Sequence, residues 1–187
     1  MPLPVLVGIS GASGVIYAVE LLRALKQFGQ PVHLIVSEMG ARTLAIETDL
    51  SLDDLRGLAD VTYSNKDLAA AVSGGSFRTA GMVIAPCSVK TLSGIANSFS
   101  ANLMIRAADV TLKERRPLVL LFRETPLHAG HLRLMLRATE MGAVIMPPLP
   151  AFYTRPQTIG EIVQQTVGRA LDHLGIEHQL IPRWSGA

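Results

Sequence analysis

A chain of 187 residues with 17 basic and 15 acidic side chains has a formal charge of only +2, too little for nucleic-acid binding by charge. Its length favours one domain spanning 1–187, able to bury roughly 70% of the surface its unfolded form exposes, which excludes a small disulfide- or metal-stapled scaffold. Charged residues reach only 17% and hydrophobic ones 49%, against about 25% charged in ordinary domains, so part of the surface is expected to be buried against other copies of the chain. The one cysteine, Cys87, permits no internal disulfide and fits a reducing compartment. There is no basic leader region, and no apolar run approaches ~18 residues. A cytoplasmic protein without a membrane span is expected.

Residues 4–10 form a short apolar run, residues 11–14 are glycine punctuation and residues 15–28 carry an amphipathic pattern. This predicts strand, tight loop, helix. Glu20, Arg23 and Gln27 share the polar face of that helix, and Gly29 with Pro31 stop it. Residues 32–36 read as a second strand, and the apolar runs 82–85, 118–122 and 143–146 repeat the pattern with helices between them. Ser51 with Asp54, and Thr158 with Glu161, have capping-box spacing. Behind the second, Ile159, Ile162, Val163, Thr166, Val167, Ala170, Leu171 and Leu174 keep one apolar stripe as far as Gly175. Buried strands alternating with helices predict an α/β fold, a parallel sheet covered on both faces.

Ligands of such sheets bind beyond the carboxyl ends of the strands. The segments there read Gly-Ile-Ser-Gly-Ala-Ser-Gly over 8–14, Ser-Glu-Met-Gly over 37–40, Pro-Cys-Ser-Val-Lys-Thr over 86–91, Arg-Glu-Thr-Pro over 123–126 and Pro-Pro-Leu-Pro-Ala-Phe-Tyr over 147–153. The glycines at 8, 11 and 14 do not have dinucleotide-fingerprint spacing, and no P-loop lysine follows. What remains is either a loop that lets backbone approach a phosphate or a flavin edge, or a plain tight turn. Residues 88–91 offer hydroxyls and Lys90 at a helix start, suited to phosphate or to simple N-capping by Ser88. Cys87 could be a nucleophile, but no histidine lies between Leu34 and Leu127 to serve it, so a structural cysteine is expected.

Arg106 and Lys113 lie seven residues apart on one helical face with Asp109 between them, either an anion clamp or a solvated face with an Asp109–Lys113 pair. Arg123 and Glu124 directly follow a buried strand, which favours a functional use. His128 and His131 have no evident third ligand, so no metal site is expected. His173 and His178 read as surface residues, and Arg133, Arg137 and Glu140 as a solvated helix face.

Taken together, Gly-Ala-Ser-Gly after the first strand, Glu-Thr-Asp over 47–49, the 86–91 segment, the run from Arg106 to Pro117, Arg123-Glu124 and Pro-Arg-Trp over 182–184 closely resemble the UbiX-type flavin prenyltransferases. The likeness runs from Val5 to Trp184. It implies a flavodoxin-like Rossmann three-layer sandwich, assembled as a dodecamer, with FMN and dimethylallyl monophosphate bound between subunits. Gly11, Ala12, Ser13, Ser37, Ser88, Val89, Lys90, Thr91 and Arg123 match the family's FMN-binding positions. Arg106, Lys113, Arg123, Glu124, Tyr153 and Arg169 match those around the prenyl phosphate, Ser13 and Glu47 lie near the flavin N5, and Trp184 beside the prenyl group. The implied reaction joins the dimethylallyl group to N5 and then C6 of reduced FMN without a metal. Lys113 would stabilise the leaving phosphate and Glu124 would relay protons, and the product would serve a separate UbiD-type decarboxylase. Two rival readings are an FMN-dependent oxidative decarboxylase of the peptidyl-cysteine type, which needs a catalytic histidine that the flavin loops do not offer, and a non-catalytic FMN carrier.

Overall fold

The structure is a computed structural model that describes residues 2–186. Six strands, β1 (Val5–Ile9), β2 (Val32–Val36), β3 (Val61–Ser64), β4 (Gly81–Cys87), β5 (Leu118–Phe122) and β6 (Val144–Ile145), pair in parallel in the order β3-β2-β1-β4-β5-β6. Without the edge strand β3 this is the 2-1-3-4-5 order of flavodoxin-like folds. Every residue of β1, β4 and β5 is buried, as central parallel strands covered on both faces must be. Helices α1 (Val15–Gln27), α2 (Glu38–Glu47), α3 (Leu52–Arg56) and α7 (Ile159–His173) pack one core on one face. Helices α4 (Val89–Ala96), α5 (Leu103–Lys113) and α6 (Ala129–Glu140) pack a second core on the other. The three-layer arrangement and its parallel sheet are those expected. Chain order reverses between β1 and β4, so their carboxyl ends flank the crevice where this fold places ligands.

Several local expectations change. Strand β3 was not anticipated, because its Val-Thr-Tyr-Ser sequence is largely solvent-facing and pairs only with β2. Segment 37–40 opens a helix, with Ser37 as the N-cap of α2 and its hydroxyl accepting from Gly40 N at 2.9 Å. Ser51 and Asp54 form the complete capping box. Thr158 accepts from Glu161 N at 3.2 Å, but the Glu161 carboxylate accepts from Gln157 N rather than from the N-cap residue. The apolar stripe on α7 begins later than expected, since Ile159 is 79% exposed. His178 is the clearest reversal. Its side chain is fully buried, with Nε2 2.8 Å from Gly168 O and 3.0 Å from Asp172 Oδ1, because the segment after α7 folds back along that helix.

Candidate functional site

The crevice is built by short side chains at the ends of β1 and β4. The Ser10 hydroxyl, 2% exposed, donates to Pro86 O at 2.8 Å and accepts from Ser88 N at 2.8 Å. It thus joins the two strands where their paths diverge. The loop after β1 lies so close to α2 that a Cβ at Gly11 would sit 2.3 Å from Met39 Cβ, and one at Gly40 would sit 2.4 Å from Ile9 O. Glycine at both positions is therefore steric necessity, and it seats the loop after β1 directly against the first turn of α2.

Glu47, at the end of α2, reaches back to the start of α1. Its Oε2 accepts from Gly14 N at 2.9 Å and Val15 N at 3.0 Å. Helix N-termini attract anions, and here the Glu47 carboxylate occupies the two N–H groups at the start of α1. Burial pushes the Glu47 carboxyl up, but the Ser13 hydroxyl, the two N–H groups and the Arg123 charge outweigh it and hold the group below the usual carboxylate range. At the end of β5, Arg123 N donates to Cys87 O at 3.0 Å, while Arg123 and Glu124 project exposed side chains at the same sheet edge. The N-cap of α4 is Ser88, whose hydroxyl accepts from Thr91 N at 3.3 Å and contacts Thr91 Oγ1 at 3.1 Å. Val89 is half-buried and Lys90 exposed beside it. Cys87 is fully buried, and burial pushes its thiol far up, as the structural reading required.

The second predicted group lies elsewhere. Arg106 donates to Ser73 O at 3.2 Å and to Asp109 at 2.9 Å, and Lys113 pairs with its neighbour Glu114. The sequence left a choice between an anion clamp and an Asp109–Lys113 pair; in the single chain each cation instead takes a different carboxylate. Lys113 closes α5 just before β5, whereas Arg123 and Glu124 follow it. Five strand residues at ~3.3 Å each place the two ends about 16 Å apart. One chain does not bring Lys113 to Glu124.

A third group lines a cavity of about 260 Å³ beside β6 and α7, with Tyr153, Gln165, Thr166, Arg169 and His173 as its polar members and an apolar wall from Met146 to Ala151. Trp184 meets Tyr153 edge to face, with ring centroids 5.5 Å apart. Asp172 accepts from Arg169 at 2.8 Å and from Arg183 at 2.7 Å, tying the chain before Trp184 to α7. Burial raises the Asp172 carboxyl, but Arg183 and His178 prevail and hold it low. Gln165 and Asp172 carry no signal in the sequence, because the groups they bond, Tyr153 and Arg183, lie more than ten residues away along the chain.

Ser13, Ser37, Ser88, Lys90 and Arg123 all follow the carboxyl ends of β1, β2, β4 and β5, and hydroxyls and cations at that edge are the chemistry that suits a flavin's carbonyl edge and phosphate. The residues present therefore fit FMN. The Flavoprotein family profile matches residues 2–171. Over 185 residues, the chain is 57% identical to flavin prenyltransferase UbiX of Escherichia coli K12, covering 97% of this chain and 98% of that protein. The chain belongs to the UbiX flavin prenyltransferase family. Another UbiX protein, AnUbiX (PadA1), solved with FMN and dimethylallyl pyrophosphate, superposes with a TM-score of 0.98 at 43% identity, covering 100% of both chains. A dodecameric FMN-dependent UbiX-like decarboxylase from Escherichia coli O157:H7 gives a TM-score of 0.95 at 45% identity, covering 98% of this chain and 100% of that one. Among the described residues no helix is long and apolar enough to cross a membrane, and no group of three or more His, Cys, Asp or Glu side chains gathers as a metal site.

Proposed function

We propose that this chain, acting as one flavin-binding unit over 1–187 in the cytoplasm, transfers the dimethylallyl group of dimethylallyl monophosphate to reduced FMN, and that a UbiD-type decarboxylase uses the product. The full-length match to flavin prenyltransferases carries this reading. It also sets aside the cysteine-decarboxylase and carrier alternatives, which have no comparable support.

Reduced FMN, when bound, supplies the nucleophilic ring atoms. The chain's own residues answer the charges that appear as the allylic C–O bond breaks. Negative charge collects on the departing phosphate, and Arg106, Lys113, Arg123 and Arg169 stabilise it as fixed donors. Positive charge collects on the allyl fragment, where the ring faces of Tyr153 and Trp184 attract it. Glu124, beside Arg123 at the sheet edge, takes the proton released when the second bond forms. Ser13 and Glu47 fix the loop on which the acceptor lies. Because Lys113 and Glu124 stand at opposite ends of β5, we infer that Arg106 and Lys113 of one copy complete the site of another within a homo-oligomer, and the dodecameric relative supports that assembly.

The test is mass spectrometry of the flavin after incubation of the protein with reduced FMN and dimethylallyl monophosphate, with the diphosphate as a second donor and EDTA in excess. A mass gain of one dimethylallyl group is expected with chelator present. Unchanged FMN would mark a carrier, and activity lost to EDTA and restored by Mg²⁺ would overturn the fixed-cation account.

A further inference from the structure

The cavity beside α7 holds a polar group that none of these roles uses. Gln165 is 7% exposed and stands one helical turn before Arg169 on the same face of α7. Its amide makes one hydrogen bond, from Nε2 to the Tyr153 hydroxyl at 3.0 Å, and its Oε1 is buried without a partner. A leucine would fill this volume without stranding a polar atom, so packing alone does not account for the amide. Tyr153 is poorly supported otherwise. It sits on a one-turn segment, Phe152–Thr154, is 54% exposed, and its ring packs edgewise on Trp184.

We propose that Gln165 is a positioning residue for Tyr153. Its amide fixes the ring against Trp184 and turns the hydroxyl proton towards the ligand. The polarity of the bond gives the reason. Because Nε2 donates to the phenol oxygen, the hydroxyl spends a lone pair on Gln165 and keeps its proton for an acceptor in the cavity, and accepting one hydrogen bond strengthens it as a donor for the next. With Arg169 in the same cavity, the acceptor that fits is a phosphate oxygen. This deepens the prenyl-transfer reading and rests on it for the identity of the ligand; the geometry of the Tyr153–Trp184 pair does not depend on it.

Two readouts test the role. Trp184 is the only tryptophan, so its emission in the ligand-free protein reports on the pair. Gln165→Leu and Tyr153→Phe are each expected to shift that emission in the same direction, with the double variant shifting it no further and thermal unfolding still cooperative. In turnover with reduced FMN, Gln165→Leu should raise KM for dimethylallyl monophosphate about 5–10-fold with FMN affinity unchanged, the loss expected for one hydrogen bond. Gln165→Glu keeps the shape but accepts the hydroxyl proton, and should raise KM further. The double variant should be no worse than Tyr153→Phe alone. If Gln165→Leu leaves Trp184 emission unchanged, or adds its full loss to that of Tyr153→Phe, then Gln165 does not act through Tyr153 and the proposal falls. A wild-type protein that leaves flavin mass unchanged would overturn the prenyl-transfer reading instead, and the emission comparison would still decide the role of Gln165.

Discussion

Glu47 meets two demands at once, capping α1 and lying beside Ser13 and Arg123 at the carboxyl edge of the sheet. Glu47→Gln keeps an acceptor oxygen but removes the charge that favours a helix N-terminus, at a cost of about 0.3–1 kcal/mol. For a chain of this size the midpoint of thermal unfolding should drop by roughly 1–4 °C in calorimetry at pH 7. The sign with pH follows from a carboxyl held below its ordinary range. The stabilisation is complete above the unfolded value near ~4 and is lost as pH falls through the folded one, so the two proteins should converge in acid. Lys113 has a different task. Lys113→Leu should slow single-turnover transfer by about 2–4 kcal/mol of transition-state stabilisation, as for a lost preorganised donor, while flavin binding persists. An unchanged rate would remove Lys113 from the mechanism.

Among the elements, the β2–β3 edge carries its own titration. His33 on β2 has Nδ1 2.9 Å from the Tyr63 hydroxyl on β3. Burial pushes its imidazole below the usual value, with Asp60 opposing the shift in part. Protons therefore bind the unfolded chain first as pH drops, so this contribution to stability is complete above the unfolded value of ~6.5 and is lost progressively as pH falls from there through the folded value. His33→Phe should flatten the dependence of the unfolding midpoint on pH between about 7.5 and 5.5 relative to wild type; an equally steep dependence in the variant would show that another group titrates. Helix α7 works differently. Gln165, Arg169 and Asp172 fall on one face, so a single rigid element holds Tyr153, lines the cavity and ties down the chain that carries Trp184.

For the whole molecule, the low charge content has a visible counterpart in exposed apolar side chains, including Phe99, Leu149, Phe152 and Ile159. These are surfaces suited to burial against other copies. If one copy supplies Lys113 and another Glu124, two inactive variants should rescue each other. Lys113→Leu and Glu124→Gln proteins, unfolded and co-assembled in equal amounts, should regain up to about a quarter of wild-type activity, the share of sites that draw both intact halves from random mixing. Either variant refolded alone should stay inactive. Absence of rescue in verified mixed oligomers would return both residues to one chain's site.

Elements whose signal is local can be read directly along the chain. The all-apolar runs of β1 and β5 are legible because a strand buried on both faces needs no partner to be recognised, and Ser51, Ser88 and Thr158 are legible as caps because the N–H groups they serve lie three residues away. The motifs at the strand ends were also visible, since the fold class alone assigns ligands to that edge. Whatever depends on remote neighbours emerges only once the chain is folded. Val61–Ser64 becomes a strand only because β2 offers an open edge. Glu47 becomes the cap of α1 across more than thirty residues, and His178 is buried only because the chain after α7 turns back upon it. The separation of Lys113 from Glu124 follows in the same way, because the length and direction of β5 set it and no spacing in the sequence expresses direction in space.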